Sequence, residues 1–398
     1  MIFVFYLLAA LLVWLSFKSF RGGIAYLSFF RAELAKPASL FTPFVSVIAP
    51  CRGLDVGLEQ NLTALIEQEY PEYEIIFVVD SEDDASVGAI RKVMAARPIG
   101  SRLVVAPAAN GCAQKIANLR EGVLHADEKS EAFVFADSDA RPGPGWLGAL
   151  VAPLREPECG AATGYRWFVT ERPAFAAEMR SVWNASIASA LGPNRRSNFC
   201  WGGSTAMRRD VFDRIKMSDK WVGTLSDDFA VTRALRDAGL PITFVPQALS
   251  PSLESCTLSE LLEFTNRQMR ITRVYMPQLW AMSLFGSVVF NAFLVSASFI
   301  VIAGDRTGVP FGGAILSLAL VAIFSIGKAW LRLKAVRLVL REYEHSLKRQ
   351  TWPQYTLWLL SPMLFLINSV AALLSRRVKW RGIVYELKSP TETVIISH

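Results

Sequence analysis

The sequence predicts an α/β fold: an open, mainly parallel sheet with helices on both faces, flanked by transmembrane helices. Three observations lead there. Between residues 40 and 275, apolar runs of four to six residues alternate with helical patterns, the signature of strand–helix–strand units. Long uncharged apolar runs stand on both sides of that region. Of 398 residues, 52% are hydrophobic and only 19% charged, where ordinary soluble domains carry about 25% charged residues. This composition excludes a disordered chain, a collagen-like repeat and a disulfide-stapled miniprotein.

The first uncharged run covers residues 2–17 and would be roughly 24 Å long as a helix, marginal for a span. No basic residue precedes it, while Lys18, Arg21, Arg31 and Lys36 follow. Cleavable signals carry their charge first. This order therefore predicts a retained anchor over 1–36, with the chain after it on the cytoplasmic side.

Four strands are expected next: Phe44–Ile48, Glu74–Val79, Arg102–Val105 and Ala132–Ala136, with helices over Leu58–Glu69 and Ala85–Ala96. Open parallel sheets bind ligands outside the carboxyl ends of their strands. The residues just after each strand are therefore the candidates. They are Pro50-Cys51-Arg52-Gly53, then Asp80 with Ser81-Glu82-Asp83-Asp84, then Asp137-Ser138-Asp139. Neither GxGxxG nor GxxxxGK[ST] occurs, so a nucleotide would be held by carboxylates and not by a glycine cradle.

Asp137 and Asp139 are alternate residues of an extended segment and point the same way. Two such carboxylates suit one hard divalent cation shared with phosphate oxygens. Asp227-Asp228 precedes a helical pattern over Phe229–Ala238. It reads either as a helix cap or as a general base. Arg267-Gln268-Met269-Arg270 places two guanidiniums three residues apart. It suits a diphosphate or a juxtamembrane anchor. The cytoplasmic catalytic region is expected over 40–275.

A C-terminal membrane region is expected over 280–375. Residues 281–303, 309–327 and 355–374 are uncharged and long enough to span. Between the last two, Lys328, Arg332, Lys334, Arg337, Arg341, Lys348 and Arg349 accompany apolar residues at helical spacing. This predicts a basic amphipathic helix near 328–349 on the anionic leaflet or packed on the catalytic region. If 355–374 spans, the basic tail over 376–398 falls outside, against the positive-inside rule. The alternative is a re-entrant or interfacial element near Pro362. Five scattered Cys and three His imply neither a zinc site nor a disulfide framework. The basic residues gather beside the membrane segments, so nucleic acid is not an expected partner.

In order, Asp80, Asp137-x-Asp139, Asp227-Asp228 and Arg267-x-x-Arg270, with membrane segments at both ends, resemble the family 2 glycosyltransferases and their ceramide glucosyltransferase relatives. Val45–Pro50 is similar to that family's first nucleotide-binding strand, and Gln68–Phe77 to its QdYPxyEiiF stretch. Lys115 resembles its donor-side lysine, Trp201-Gly202-Gly203-Ser204 the loop beside the sugar, and Trp380-Arg381-Gly382 the WRG of the ceramide-type branch. Two departures stand out: Ile271 replaces the family Trp after Arg270, and Gln114 stands where Asn is common.

The resemblance implies a GT-A-like fold and an inverting hexosyl transfer from a UDP-sugar to a membrane lipid. Glucose to ceramide is the first expectation, a hopanoid acceptor the next and a processive polysaccharide synthase the third. Ile271 counts against the last. From a different class, an inactive membrane-anchored nucleotide-sugar binder would keep the fold without turnover. On the resemblance, Asp228 is the base. Pro50, Arg52, Asp80, Lys115, Asp137, Arg267, Gln268 and Arg270 would bind the donor, and Asp139 with Asp137 would hold Mg2+ or Mn2+. No obligate protein partner is implied. The expected place is an integral membrane site facing the cytoplasm, on the inner membrane in a bacterium or on Golgi or ER in a eukaryote.

Overall fold

The computed structural model describes residues 2–96 and 100–397. Met1 and His398, the outermost residues of the expected anchor and tail, lie outside the described residues, as do 97–99. The chain divides into two compact units, each assembled from three separate stretches. A helical unit gathers Met1–Arg31, Arg172–Ser189 and Cys256–Ser375, and a sheet unit gathers Ala32–Glu171, Ala190–Ser255 and Arg376–His398.

The chain opens with helix α1 (Ile2–Leu34). The sheet unit then runs β1 (Val45–Pro50), α2 (Leu58–Ile66), β2 (Tyr73–Val79), α3 (Val87–Ala96), β3 (Ser101–Val105), α4 (Gln114–Leu124), β4 (Ala132–Ala136), α5 (Trp146–Val151) and β5 (Ala161–Phe168). After α6 (Phe175–Ala188), which belongs to the helical unit, come β6 (Ser204–Arg208), α7 (Arg209–Arg214), α8 (Met217–Lys220), α9 (Asp227–Asp237) and β7 (Ile242–Ser252). The seven strands lie in the order β3-β2-β1-β4-β6-β5-β7. Strands β1 to β4 are mutually parallel, β6 is antiparallel to β4 and β5, and β7 is parallel to β5.

The four expected strands and two expected helices are therefore present, and the fold is the open α/β sheet that the alternation predicts. Burial on both faces explains why β1, β2 and β4 read as apolar runs, whereas β3, at the sheet edge, is only partly buried. Val45, Val47 and Ala49 of β1 pack with Ile75, Phe77 and Val79 of β2 under Leu62, Ile90 and Leu147 of the covering helices. The opposite face takes α4, where a side chain on Gly122 would stand 2.5 Å from Ile48 Cγ2 and 3.1 Å from Val78 Cγ2. Parallel pairing brings the ends of β1, β2 and β4 to one edge. Because β6 is antiparallel, its start arrives there too, with Ser204 opposite Ala136.

In the helical unit, α10 (Leu258–Tyr275) starts on a capping box: Thr257 Oγ1 accepts from Glu260 N at 3.3 Å, and Glu260 Oε2 accepts from Thr257 N at 2.7 Å. It is followed by α11 (Pro277–Ala303), α12 (Val309–Val339), α13 (Glu344–Arg349), α14 (Thr351–Thr356) and α15 (Ser361–Leu374). Helices α1, α11 and α12 are long and apolar enough to cross a membrane. They meet through Phe5, Ala9 and Leu12, Phe290, Phe293 and Ala297, and Ala314 and Val321.

Residues Thr351–Leu359 and α15 qualify as a span only together, and they bend by 57° where Pro362 enters the first turn of α15. This is the broken or re-entrant geometry left open above. The 328–349 stretch is not one helix: α12 runs on to Val339, and Arg337 then bonds Glu344 across the break before α13. The 376–398 stretch carries β8 (Arg377–Trp380), β9 (Ile383–Ser389) and β10 (Glu392–Ser397), an antiparallel sheet inside the sheet unit.

Helix α4 carries Lys115, so its seat on β1 and β2 positions the site. Gly122→Ala gains about 1 kcal/mol in helix propensity, but it drives a methyl into Ile48, and overpacking costs about 1–3 kcal/mol. The expected outcome is a net loss of stability, read as a lower Tm of the purified protein; an unchanged or higher Tm would contradict this seat.

Candidate active site

The carboxyl edge of the seven-stranded sheet collects a cluster of charges. Asp137 and Asp139 follow β4. Lys115 lies in the first turn of α4 and donates to Asp137 Oδ1 at 2.7 Å. Its ammonium also stands 3.2 Å from Asp227 Oδ1. Arg166, near the end of β5, donates to Asp139 Oδ2 at 3.0 Å and pairs with Asp137 Oδ2 at 3.3 Å. Its guanidinium lies 4.9 Å from the Trp201 ring, within cation–π range. Thus the turn after β4, two helix starts and one strand end share two cations and three carboxylates.

Asp227 and Asp228 open α9, so both readings of this pair have a basis. Asp228 Oδ1 accepts from the hydroxyl of Ser226 and from Phe229 N at 2.8 Å, while Asp227 is buried against Lys115. Burial pushes the Asp227 carboxyl up to about 6; Lys115 opposes that rise, and Asp228 and Asp137 add to it. Burial acts against the Lys115 ammonium, but Asp137 and Asp227 outweigh it and hold the amine well above its ordinary range. Burial likewise disfavours the charged Asp139, yet Arg166 and then Arg381 keep it below the usual carboxylate value.

Two glycines make room for this packing. A Cβ on Gly202 would stand 1.9 Å from Asp227 Oδ2, and one on Gly203 would stand 2.3 Å from the Trp201 ring and 2.7 Å from Asp137 Oδ2. The Trp201-Gly202-Gly203-Ser204 loop is thus the wall against which the acidic groups lie. Ala113 N donates to Thr224 O at 3.0 Å, joining the loop before Lys115 to the loop before Asp227. Gln114, in place of the commoner Asn, accepts from Ala109 N at 2.8 Å and donates to Asn118 Oδ1 at 2.9 Å.

Pro50, Arg52 and Asp80 lie on the same edge, at the ends of β1 and β2. Arg52 pairs with Asp80 there, and Gly53 N donates to Asp84 Oδ1 at 3.0 Å. Arg267, Gln268 and Arg270 are on α10 in the helical unit, with the Arg267 guanidinium 5.5 Å from the Phe264 ring. Sequence reasoning missed Arg166 because β5 contains Gly164 and follows no helix of obvious period. It also missed Asp55 and gave Arg381 no role. Arg381 bonds Asp55 Oδ1, and Ser138 Oγ donates to Asp55 Oδ2 at 2.7 Å.

Five carboxylates (Asp55, Asp137, Asp139, Asp227, Asp228) face three cations (Lys115, Arg166, Arg381) in this neighbourhood. Asp139 Oδ1 is buried with no hydrogen-bond partner among the described residues. Among them, no group of three or more His, Cys, Asp or Glu is placed to hold a metal ion. A cation here would therefore rest on Asp137 and Asp139, with its other ligands from phosphate or water. That division is how Mg2+-type ions bind nucleotides, and the donor set fits it.

A family model described as glycosyl transferase family 21 matches residues 7–393. Ceramide glucosyltransferase 1 of Caenorhabditis elegans is 23% identical over 229 residues, which is 56% of this chain and 48% of that protein. Ceramide glucosyltransferase 3 of the same organism is 21% identical over 286 residues, 70% of this chain and 59% of that one. The chain thus spans about half the length of these relatives. Among solved structures, the mannosyltransferase PcManGT from Pyrobaculum calidifontis, in complex with GDP-Man and Mn2+, is 19% identical with a TM-score of 0.46, covering 90% of this chain and 99% of its own. Glucosyl-3-phosphoglycerate synthase from Mycobacterium tuberculosis, with Mn2+ and UDP-glucose, is 16% identical with a TM-score of 0.37, covering 61% and 80%. With the family model matched along nearly all of its length, the chain belongs to glycosyl transferase family 21.

Proposed function

We propose that the protein is a membrane glycosyltransferase that moves a hexose, glucose in the first instance, from a UDP-sugar to a lipid hydroxyl with inversion. Ceramide is the preferred acceptor class and a hopanoid the next. The single observation that carries the reading is the cluster in which Lys115 and Arg166 hold Asp137, Asp139 and Asp227 together at the carboxyl edge of the sheet. Family membership, the ceramide-acting names of its relatives and three helices of spanning length support it.

In this reading Arg52 and Asp80 take the uracil and ribose side of the donor. Lys115, between Asp137 and Asp227, stays charged and faces the sugar-diphosphate. Asp137 and Asp139 hold the divalent ion, which when bound supplies positive charge to the diphosphate leaving group. Asp228 takes the proton of the acceptor hydroxyl. That oxygen forms the new bond to the anomeric carbon as the bond to the diphosphate breaks, and UDP leaves with the electron pair. One base suffices, because no covalent sugar–enzyme intermediate forms. Asp228 suits the task better than Asp227: its Oδ1 is oriented by Ser226 and Phe229 N, whereas Asp227 is committed to Lys115. Arg267, Gln268 and Arg270 remain donor candidates on sequence grounds. We assign 1–36 to an anchor, 40–275 to a catalytic region on the cytoplasmic side, 280–375 to the membrane region and 376–398 to the tail.

Three outcomes test this. Asp228→Asn lowers lipid glycosylation by at least about 100-fold while UDP binding stays within a few-fold of wild type; near-normal turnover removes Asp228 as the base. EDTA abolishes turnover and added Mn2+ or Mg2+ restores it, whereas full activity in EDTA refutes the metal. Gly203→Ala, whose methyl meets Trp201 and Asp137, abolishes donor binding measured by isothermal titration; unaltered binding would show that the loop does not border the donor. For orientation, the five native cysteines are all buried, so Asp305→Cys in the α11–α12 turn should react with an impermeant maleimide only from the non-cytoplasmic side.

A further inference from the structure

We propose that the C-terminal sheet is a working part of the donor site, and that Arg381 at its first turn is a positioning residue that holds the Asp137-Ser138-Asp139 turn for the donor's diphosphate and divalent cation. The inference rests on the donor-site reading above and names a residue that reading lacks.

The turn itself gives no reason for an arginine. Trp380 pairs with Ile383, leaving Arg381 and Gly382 as a two-residue loop with φ of 49° and 85°. Positive φ at both central positions is the hairpin geometry that favours Asn-Gly. Side chains with a Cβ seldom adopt it, and such outliers gather at functional sites. Only one other non-glycine among the described residues, Lys216, has positive φ.

The reason lies where the side chain ends. The guanidinium bonds Asp55 Oδ1, a carboxylate whose side chain is 3% exposed. The other oxygen of Asp55 accepts from Ser138 Oγ at 2.7 Å. Ser138 is the residue between the two aspartates of the DxD. Its carbonyl accepts from Asn61 Nδ2 at 3.0 Å, and Asn61 Oδ1 accepts from Arg141 Nε at 3.0 Å. The middle of the turn is therefore gripped through its side chain on one side and its backbone on the other. The charge of Arg381 also acts on Asp139, so the same residue offsets the repulsion between Asp55 and Asp139. An arginine fork has donors to spare after one carboxylate is satisfied.

The rest of the tail sheet meets two more site segments. The Tyr385 hydroxyl accepts from Gln114 N at 3.3 Å, next to Lys115. Thr391 O stands 2.0 Å from where a Cβ on Gly223 would be, and Gly223 has φ of +79°. That glycine lies in the loop leading to Asp227 and Asp228. One small sheet thus meets the lysine helix and the loop before the base directly, and the DxD turn through Asp55.

The experiment uses the full-length protein in detergent. Mn2+ uptake in the presence of UDP is read from the loss of the free-ion EPR signal. Arg381→Ala is expected to weaken Mn2+ affinity about ten- to a hundredfold, the range seen when the support of a metal ligand is removed. Arg381→Lys should recover part of it, and Lys379→Ala, in the same sheet, should bind as wild type. Wild-type affinity in Arg381→Ala, or an equal loss in Lys379→Ala, overturns the proposal. If Arg381→Ala fails to fold, Ser138→Ala carries the test: weakened Mn2+ uptake sustains it and unchanged uptake overturns it. If the wild type itself takes up no Mn2+ with UDP, the donor-site reading fails and this proposal falls with it.

Discussion

The arrangement of the sheet unit depends on keeping one ammonium charged where there is little water. The Lys115 side chain is 15% exposed, and its partners Asp137 and Asp227 are 16% and 8% exposed. Charges so placed survive only if each has a counterpart within bonding distance, and removing one partner from a buried pair costs about 3–5 kcal/mol. The partners of Lys115 come from the end of β4 and the start of α9, far apart along the chain. The charge balance is thus also a folding constraint, because three distant segments must arrive at one edge before any of them is stable there.

The sheet supplies that meeting point through topology. Parallel strands deliver their carboxyl ends to a common rim, and the reversed β6 brings the Trp201–Ser204 loop to the same place. Glycines then set the distances. At positions 202 and 203 even a methyl group would displace Asp227, the Trp201 ring or Asp137. The loop works by absence of side chain, which lets backbone stand as a close wall behind the acidic groups. Buried Glu74 shows the same economy away from the site, with Ser46 Oγ at 2.6 Å, Asp127 N at 2.6 Å and Arg102 at 2.7 Å around one carboxylate.

Much of this was legible in the residues. Strands β1, β2 and β4 show because burial on both faces leaves apolar runs such as Phe133-Val134-Phe135-Ala136. Asp80, Asp137 and Asp139 follow from their places directly after strands. Lys115 and Asp227 emerged only as single residues, since nothing in the spacing says that a lysine and an aspartate 112 positions apart share one bond network. Arg166 escaped because β5 has a glycine and mixed polarity. The tail escaped for another reason. Arg376, Arg377, Lys379 and Arg381 read as a membrane-flanking basic cluster, whereas pairing with β9 turns them into a sheet whose arginine reaches a buried carboxylate. Charge counting sees the sign of such a stretch but not its strand register.

The interleaving of the two units bears on biosynthesis. The sheet unit needs residues from between and after the three stretches that build the helical unit. On the ribosome, α1 and then the strands from Val45 to Ser252 emerge, yet Arg381 and Tyr385 follow only after all three long apolar helices have been made. A nascent chain therefore has its hydrophobic helices translated before its last contacts to the charged rim exist. Completion of the charged rim in this way waits until α11 and α12 have been translated.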